Sequence, residues 1–355
     1  MLREAPFDED EYLRANPDVP EYIAQGRVSS GAEHYAVIGR SEGRPLRTRR
    51  GKLRAGLDIA GLAGVEVGAL DKPTIDRSEG DIRFVDYADR AKLQHIYGPD
   101  PAVDTDNIVE TDAVWGDNTL LDALGGRPAD YVLASHVIEH VPDVLTWLAE
   151  IESVLTDGGE VRLVVPDKRY TFDVLRNESR LPDVLDAWVQ KARVPLPRHH
   201  LDFMLLAREV DLMAAWRGEL MLDELKPMST YEIAVSIARD VIEHGNYHDA
   251  HCWVFSPRSF CDLMRDLGAL DLLHLRCTEF VDTERNGFEF YVALAACTDQ
   301  DEVAASWQAA RDSCAPDAQP SAPATDDVVA APEAAAATGL IARAAAAAAR
   351  RRPRR

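Results

Sequence analysis

The sequence of 355 residues predicts an α/β fold with a Rossmann-like, doubly wound sheet, a helical cap insertion and a small N-terminal helical unit. Between residues 56 and 298, short apolar segments typical of strands alternate with segments of helical periodicity, which is the pattern of a parallel sheet flanked by helices. Residues 167–250 have mostly helical spacing interrupted by prolines, which indicates an insertion over the sheet. Residues 7–44 contain three short helical runs, separated by Asn16-Pro17 and by Gly26.

Residues 1–50 are predicted to form the small helical unit and a basic linker. Asp8 is a suitable N-cap for the first helix, Pro17 ends it, and the third helical run stops at Gly39. The pattern YLxxNPDV followed by HYxxxGxxEGR resembles a short module at the head of bacterial proteins involved in surface-glycan work. The linker reads PLRTRRGKLRA at residues 45–55.

The central domain is predicted at residues 51–298 and contains the alternating pattern. Strands are predicted at residues 62–68, 82–86, 108–112, 131–135 and 160–165. Helices are predicted at residues 91–97 and 143–155, the second with apolar residues at helical spacing. A strand at 253–255, a helix at 257–267 and a strand at 288–295 complete the domain.

The chain is strongly acidic, with 39 Lys and Arg against 61 Asp and Glu and a formal net charge of −22. This argues against a nucleic-acid binder, because phosphate binding needs a basic surface. The charged N-terminus, the absence of an apolar span and five cysteines without a CxxC pair predict a cytoplasmic protein with free thiols and no membrane span. Residues 299–355 are predicted to be a low-complexity, disordered tail, because their Ala-rich composition does not support a core.

Acidic residues lie at the carboxyl ends of the first two predicted strands. Glu66 and Gly68 form an acid-x-Gly string at the edge where parallel sheets bind ligands, and glycine lets the backbone approach a ligand closely. Asp86 ends the second strand, and its carboxylate can accept two hydrogen bonds from ribose hydroxyls. The alternative for Asp86 is a turn or helix cap.

In their order and spacing, these strings and two later segments resemble class I S-adenosylmethionine-dependent methyltransferases. The specific segments are ASHVIEHVPD at residues 134–143 and LTDGGEVRLVVP at residues 155–166. Together with GVEVGAL, VDYAD and VPDKRYTFD, they resemble a bacterial branch of that family over roughly residues 56–298. A dinucleotide-binding domain is the poorer match, because GxGxxG is absent.

The resemblance implies that S-adenosylmethionine is the cofactor and that it binds at the carboxyl edge of the sheet. The residues matching the family's cofactor-binding positions are Glu66 and Gly68 in the first motif, Asp86 for the ribose, Asp112 for the adenine amino group, and Ser135 and His136 lining the methyl-donor pocket. The family's Gly-x-Gly continuation is replaced by Gly68-Ala69-Leu70 with Pro73 soon after, which predicts a shorter and stiffer loop.

His136, Glu139 and His140 follow the fourth predicted strand, and in a helix their spacing would place them on one face. We predict that they form the catalytic wall, where a base takes a proton from the acceptor; the alternative for His140 is packing within the loop. Some family members carry an acid-x-x-Glu-His motif here that binds a divalent ion. His136 replaces the first acid in this chain, so the sequence predicts no metal, with a ligand set of two His and one Glu as the alternative.

Asp167, Arg169 and Tyr170 follow the fifth predicted strand, and we predict that they bind a polar acceptor. The alternative is a helix start that is stabilised by ion pairs. Two His-rich segments, which contain His199 and His251, are candidates for a lid, with a structural role as the alternative.

The sequence therefore predicts S-adenosylmethionine-dependent methylation, with O-methylation of a small-molecule or glycan-type acceptor. One alternative is a macromolecular acceptor, protein or RNA, although the acidic central domain disfavours RNA. The other is a non-catalytic module that holds the cofactor as a ligand. The sequence leaves the oligomeric state open.

Overall fold

The computed structural model describes residues 7–116 and 118–315, and these residues form an α/β fold around one seven-stranded sheet. The strands are β1 (Ala63–Val67), β2 (Asp81–Asp86), β3 (Ala113–Val114), β4 (Ala129–Ser135), β5 (Leu155–Pro166), β6 (Leu275–Val281) and β7 (Glu289–Ala296). Their order across the sheet is β3-β2-β1-β4-β5-β7-β6. Strands β1 to β5 pair in parallel, and β7 lies antiparallel between β5 and β6. The predicted Rossmann-like class is confirmed, with an antiparallel edge.

Helices cover both faces of the sheet and form the cap. They are α1 (Glu9–Ala15), α2 (Val19–Ala24), α3 (Gly31–His34), α4 (Arg40–Glu42), α5 (Arg49–Arg54), α6 (Arg90–Tyr97), α7 (Leu120–Ala123), α8 (Val144–Ser153), α9 (Leu181–Val189), α10 (Pro197–Leu206), α11 (Leu212–Trp216), α12 (Tyr231–His244), α13 (Pro257–Ala269) and α14 (Gln300–Ser313). A π-helical turn, Tyr35–Gly39, joins α3 to α4, and 3₁₀ turns form at Thr105–Asn107, Ile138–His140 and Lys168–Tyr170. Among the described residues, no helix has the length and apolarity needed to cross a membrane.

The central strands are buried on both faces, as expected for a parallel sheet between helices. On β4, Val132 and Ala134 belong to the main core, while Tyr131 and Leu133 pack into a second cluster on the opposite face. Gly64 on β1 makes room for the Tyr131 ring, because a Cβ atom there would lie 2.1 Å from Tyr131 Cζ.

The strand pattern was only partly readable from the sequence. The predicted strand at 108–112 is wrong: the side chain of Ile108 packs with Ala88 and Leu93 in a separate cluster, and β3 begins at Ala113. The predicted strand at 253–255 is reduced to a single bridge between Phe255 and Asp167. The sequence analysis does not predict β6.

The basic segment 45–55 is not a free linker, because most of it forms α5 and docks on the sheet. Leu53 is buried against Val164 and Tyr291. Arg162 on β5 donates hydrogen bonds to the carbonyl oxygens of Leu53, at 2.9 Å, and of Ala55, at 2.7 Å. The N-terminal segment therefore belongs to the folded body.

The predicted tail at 299–355 begins too early. Helix α14 packs on α13 with Val303, Trp307 and Ala310 buried. The indole nitrogen of Trp307 donates a hydrogen bond of 2.9 Å to the carbonyl oxygen of Leu275 on β6, so this helix covers the sheet edge. The rest of the predicted tail, from residue 316, lies outside the described residues.

The predicted cap insertion consists of α9 to α12, between β5 and α13. It has a small apolar core of its own, in which Phe203 and Met204 of α10 pack against Ala234 and Ile237 of α12. The helical cap therefore stands as a subdomain beside the carboxyl edge of the sheet.

Candidate active site

A cleft of about 2560 Å³ opens at the carboxyl ends of β1, β2 and β4. This is the edge where the strand order reverses between β1 and β4, and open α/β sheets bind ligands at such a switch point. Helix α5 and the cap form its other walls. A drug-sized ligand pocket has roughly 300–1,000 Å³, so this cleft is larger than a single pocket of that kind.

Gly68 forms the floor of the cleft where β1 ends. Its φ is +70°, its N–H donates a 2.9 Å hydrogen bond to the carbonyl oxygen of Val85, and a Cβ atom there would lie 2.8 Å from Val137 Cγ2. Any side chain would therefore collide with the turn that follows β4. Leu70, two residues on, also has a positive φ, +49°, which agrees with the tight loop expected from the sequence.

Glu66 braces that loop from below. Its buried carboxylate accepts hydrogen bonds from the backbone N–H of Thr74, at 2.8 and 3.0 Å, and of Ile75, at 3.4 Å. Burial raises the pKa of Glu66, and the N–H donors oppose that shift. Glu66 borders the cleft, but its oxygens are engaged by the loop, so its role there is positioning.

Asp86 faces the cleft from the end of β2. Within the described residues its carboxylate accepts one hydrogen bond, 2.7 Å from the N–H of Tyr87. Burial raises the pKa of Asp86 to about 7, and the nearby charge of Asp249 adds to the shift. The carboxylate thus borders the cleft with further acceptor capacity, and its contact with ribose hydroxyls stays a prediction.

Asp112 does not reach the cleft, which corrects the expectation that it meets an adenine. It lies at the amino end of β3, where its carboxylate accepts hydrogen bonds of 2.7 Å from the N–H of Phe84 and from Arg77. The carboxyl end of β3 instead brings Trp115 to the cleft wall, because its N–H bonds to the carbonyl oxygen of Asp86 at 2.8 Å.

Ser135 and His136 line the cleft at the end of β4. His136 has a φ of +55°, which turns the chain sharply out of the strand. Its Nε2 lies 2.7 Å from a carboxylate oxygen of Glu289 on β7, and the same carboxylate receives a 2.8 Å hydrogen bond from Arg49 on α5. Burial opposes charge on His136, but Glu139 and Glu289 outweigh it and raise the pKa of the imidazole.

The 3₁₀ turn Ile138–His140 carries the other two predicted catalytic residues into the cleft. His140 Nδ1 lies 2.8 Å from Asp249 Oδ1. Burial disfavours a charged His140, but Asp249 outweighs burial and raises the pKa to about 9. Glu139 is fully buried, and burial raises its pKa, but His136 and His140 reverse the shift and lower it. The structure thus brings His136, Glu139 and His140 together, as predicted.

Two backbone hydrogen bonds fix a second segment against this turn. The carbonyl oxygen of Glu139 accepts from the N–H of Cys252, at 2.6 Å, and from that of Trp253, at 3.1 Å. His251 is thereby held edge-to-face against His140, with ring centroids 4.7 Å apart. His251 Nδ1 in turn lies 2.6 Å from Asp173 Oδ2.

Asp167 and Arg169 turn away from the cleft, which corrects their predicted role in acceptor binding. Asp167 is fully buried and pairs with the Arg169 guanidinium at 2.7–3.0 Å, while Thr283 donates a further hydrogen bond of 2.8 Å. Asp167 and Arg169 therefore form the alternative arrangement, an ion pair at the start of a helical turn. Tyr170 does border the cleft, and its ring stacks on Trp216 at 4.1 Å.

The two His-rich segments have different positions. His199 is buried in α10 away from the cleft, and burial lowers its pKa to about 3, so it is no lid residue. His251 is buried in the cleft wall rather than on a mobile flap. The contacts of Asp249, Glu289 and Arg49 with the imidazoles and carboxylates of the cleft were not predicted from the sequence. The local signal for them was the position of Asp249, two residues before His251.

Residues 75–274, more than half of the chain, match the family described as a methyltransferase domain. No curated protein matches the sequence. Similar solved structures include CcbJ methyltransferase from Streptomyces caelestis, with 10% identity, 68% of this chain and 86% of that chain covered, and a TM-score of 0.31. The DhpI–SAH complex has 15% identity, covers 82% and 97%, and has a TM-score of 0.33.

An S-adenosylmethionine-dependent methyltransferase from Clostridium acetobutylicum has 8% identity, with 66% of this chain and 84% of that chain covered and a TM-score of 0.34. At these TM-scores the three structures say nothing about the function of this chain.

The raised pKa of Asp86 predicts a pH-dependent cost to stability. In an unfolded chain an Asp has a pKa of about 3.9, so the folded state binds this proton more tightly. The favourable contribution of this proton to the free energy of unfolding is complete below about pH 4, and it is lost as the pH rises through about 7. The Asp86→Asn variant carries no charge there. We therefore expect its free energy of unfolding, relative to wild type, to increase between about pH 4.5 and about pH 8.

Urea denaturation of both proteins at the two pH values measures this difference. A difference that is the same at both values would contradict the raised pKa of Asp86.

Proposed function

The chain belongs to the methyltransferase domain family, in which S-adenosylmethionine is the methyl donor, and we propose that it methylates a hydroxyl oxygen of a small-molecule or glycan-type acceptor. The observation that carries this proposal is the shared cleft. Gly68 and Asp86 form a floor of the type that binds a methyl donor. His140 and Asp249 contribute imidazole and carboxylate groups to a wall of the same cleft.

The residues of the cleft fit the donor. The floor at Gly68 tolerates no side chain, which leaves bare backbone for a ligand to lie against. The free acceptor capacity of Asp86 suits a pair of ribose hydroxyls. Asp86, Glu139 and Asp249 place three carboxylates in the part of the cleft between β2 and the turn after β4, which favours a positive sulfonium there. Asp112 takes no part in this proposal.

Methyl transfer needs little covalent chemistry from the protein. The donor supplies a methyl group already activated on a sulfonium. An acceptor oxygen forms the new bond to the methyl carbon as the carbon–sulfur bond breaks, its electron pair stays on sulfur, and the hydroxyl proton leaves. The chain has to align the two ligands and help that proton depart.

The acceptor is proposed to lie against Glu139, His140 and His251, between the turn after β4 and the cap. The Nδ1 atoms of both imidazoles are held by carboxylates, so their Nε2 atoms are the ones available to interact with the acceptor hydroxyl. On the cap side Tyr170 borders the cleft, with its ring stacked on Trp216. Asp249 joins the two halves, since it orients His140 and its charge reaches Asp86.

A small or glycan-type acceptor is favoured over a macromolecule for two reasons. Helix α5 and the cap both contribute walls to the cleft, which restricts the access of a duplex or a folded protein. The net charge of −22 also repels a polyanion such as RNA. A cytoplasmic location remains a prediction from the sequence.

The proposed function is tested by transfer of labelled methyl from S-adenosylmethionine to a panel of hydroxyl-bearing small molecules and oligosaccharides. We expect turnover in the wild type. His140→Gln should lower it by about 10²–10⁴ with the donor affinity nearly unchanged, because His140 faces the acceptor. Tight donor binding without turnover on any of these acceptors would instead favour a non-catalytic binding module.

The donor site makes a second prediction, which uses Asp112 as the matched control. Asp86→Ala should weaken donor binding by about 1.5–3 kcal/mol, the scale for losing hydrogen bonds to a charged group. Asp112→Ala removes an acid of the same size outside the cleft and should leave the donor affinity unchanged. Titration calorimetry with S-adenosylmethionine measures both. The assignment fails if the two variants bind equally well, or if Asp112→Ala is the weaker binder.

A further inference from the structure

The turn after β4 and the segment 249–251 together present three metal-type ligands in the cleft wall. One ligand atom from each of Glu139, His140 and His251 lies within 4.8 Å of the others. His140 Nε2 lies 3.8 Å from Glu139 Oε1. We propose that these three residues bind a divalent transition-metal cation of the Zn²⁺ class.

The two imidazoles are already oriented for this task. His140 Nδ1 lies 2.8 Å from Asp249, and His251 Nδ1 lies 2.6 Å from Asp173. Metal-bound histidines commonly donate their second ring nitrogen to a carboxylate in this way, which fixes the ring and the tautomer. The Nε2 atom of each ring is therefore the nitrogen left to act as a ligand.

Glu139 supplies the independent observation. Its side chain has no exposed surface, and among the described residues neither carboxylate oxygen has a hydrogen-bond partner. His136 Nδ1 lies 3.3 Å from Oε1 as an ionic neighbour, without forming a hydrogen bond to it. A buried carboxylate without a hydrogen-bond donor is costly unless nearby positive charge compensates it, and the imidazoles of His136 and His140 lie 3.3 and 3.8 Å from it. Protons on the two imidazoles would also compensate the charge of Glu139. Titration with Co²⁺ distinguishes compensation by protons from compensation by a metal cation.

His136 is excluded from the ligand set by its own contacts. Its Nε2 is taken by Glu289, which Arg49 also holds, and His136 is not in the group of ligand atoms that lie within 4.8 Å of one another. The alternative that the sequence left open was a site of His136, Glu139 and His140. The structure assigns the third position to His251, which lies 112 residues after Glu139 in the chain.

The ligand chemistry selects the class of cation. Two imidazoles with one carboxylate suit Zn²⁺ and the neighbouring transition metals, whereas Mg²⁺ and Ca²⁺ prefer oxygen ligands throughout. Three protein ligands leave a coordination position open, as in catalytic rather than structural zinc sites. All three residues border the cleft, so this open position faces the space assigned to the acceptor. That last step rests on the proposed function, whereas the metal site does not; with a cation bound, the two Nε2 atoms would act on the acceptor hydroxyl through the cation rather than directly.

The test uses the full chain, stripped with a chelator and titrated with Co²⁺, whose visible absorption reports its coordination, and then with Zn²⁺. We expect one Co²⁺ per chain, displaced by Zn²⁺, and a higher thermal midpoint with metal than without. Glu139→Gln and His251→Gln should each weaken binding by more than about 100-fold, beyond the ~10–100-fold typical of outer-shell changes. Asp173→Asn should fall within that outer-shell range.

His136→Gln is the matched control, because it changes an imidazole that lies beside Glu139 but outside the proposed set, so its loss of Co²⁺ affinity should stay within the ~10–100-fold range of outer-shell changes. Circular dichroism of each stripped variant confirms that it is folded, and either ligand variant alone suffices for the test. The absence of saturable Co²⁺ binding would mean that protons alone balance Glu139, and the proposal would be overturned. It would also be overturned if Glu139→Gln and His251→Gln bind normally, or if His136→Gln is impaired as strongly as they are.

These readouts need neither donor nor acceptor. Metal binding without methyl transfer would leave this site standing and count against the proposed function. Methyl transfer without metal binding would support the proposed function and overturn the metal site.

Discussion

The contact on which the site depends is the pair of backbone hydrogen bonds from Cys252 and Trp253 to the carbonyl oxygen of Glu139. They join the turn after β4 to a segment that the cap separates from it by more than 100 residues. Without them, Asp249 would not face His140, and His251 would not face Glu139. The same carbonyl thus positions both the partner of one imidazole and the second imidazole, which makes the cap insertion part of the site rather than an appendage.

Charge alternation is the second constraint. Arg49, Glu289, His136 and Glu139 follow one another through the cleft wall, each beside a group of opposite charge type. Asp173 extends the arrangement on the other side, where it bonds both to His251 and, at 2.7 Å, to Arg176. Removing one partner from a buried network leaves an uncompensated charge, so such networks hold their geometry tightly. Arg49 and Glu289 are far apart in the sequence, so this wall forms only in the folded protein.

The sequence revealed what local patterns encode. The strands around Glu66, Asp86 and Ser135 were predictable, because apolar runs end there in residues with a ligand-type side chain or a glycine turn. The direction of a side chain was not predictable. Asp112 and Asp167 occupy the positions that the family motifs indicate, but the Asp112 carboxylate accepts a hydrogen bond from the N–H of Phe84 and the Asp167 carboxylate pairs with Arg169. His251 could be noticed in the sequence but not paired with Glu139, because that pairing depends on the path of the cap. Helix α14 was missed because its few buried positions, such as Trp307, lie in an alanine-rich stretch beside the tail.

The central claim is that one cleft holds the donor on Asp86 and faces its methyl group toward the turn Ile138–His140. A crystal structure with S-adenosylhomocysteine bound tests it most directly. We expect ribose hydroxyls on the Asp86 carboxylate, the backbone of Gly68 against the ligand, and the sulfur facing Glu139 and His140. A ligand bound outside the β1–β4 edge, or one with its ribose away from Asp86 and its sulfur turned from that wall, would contradict it.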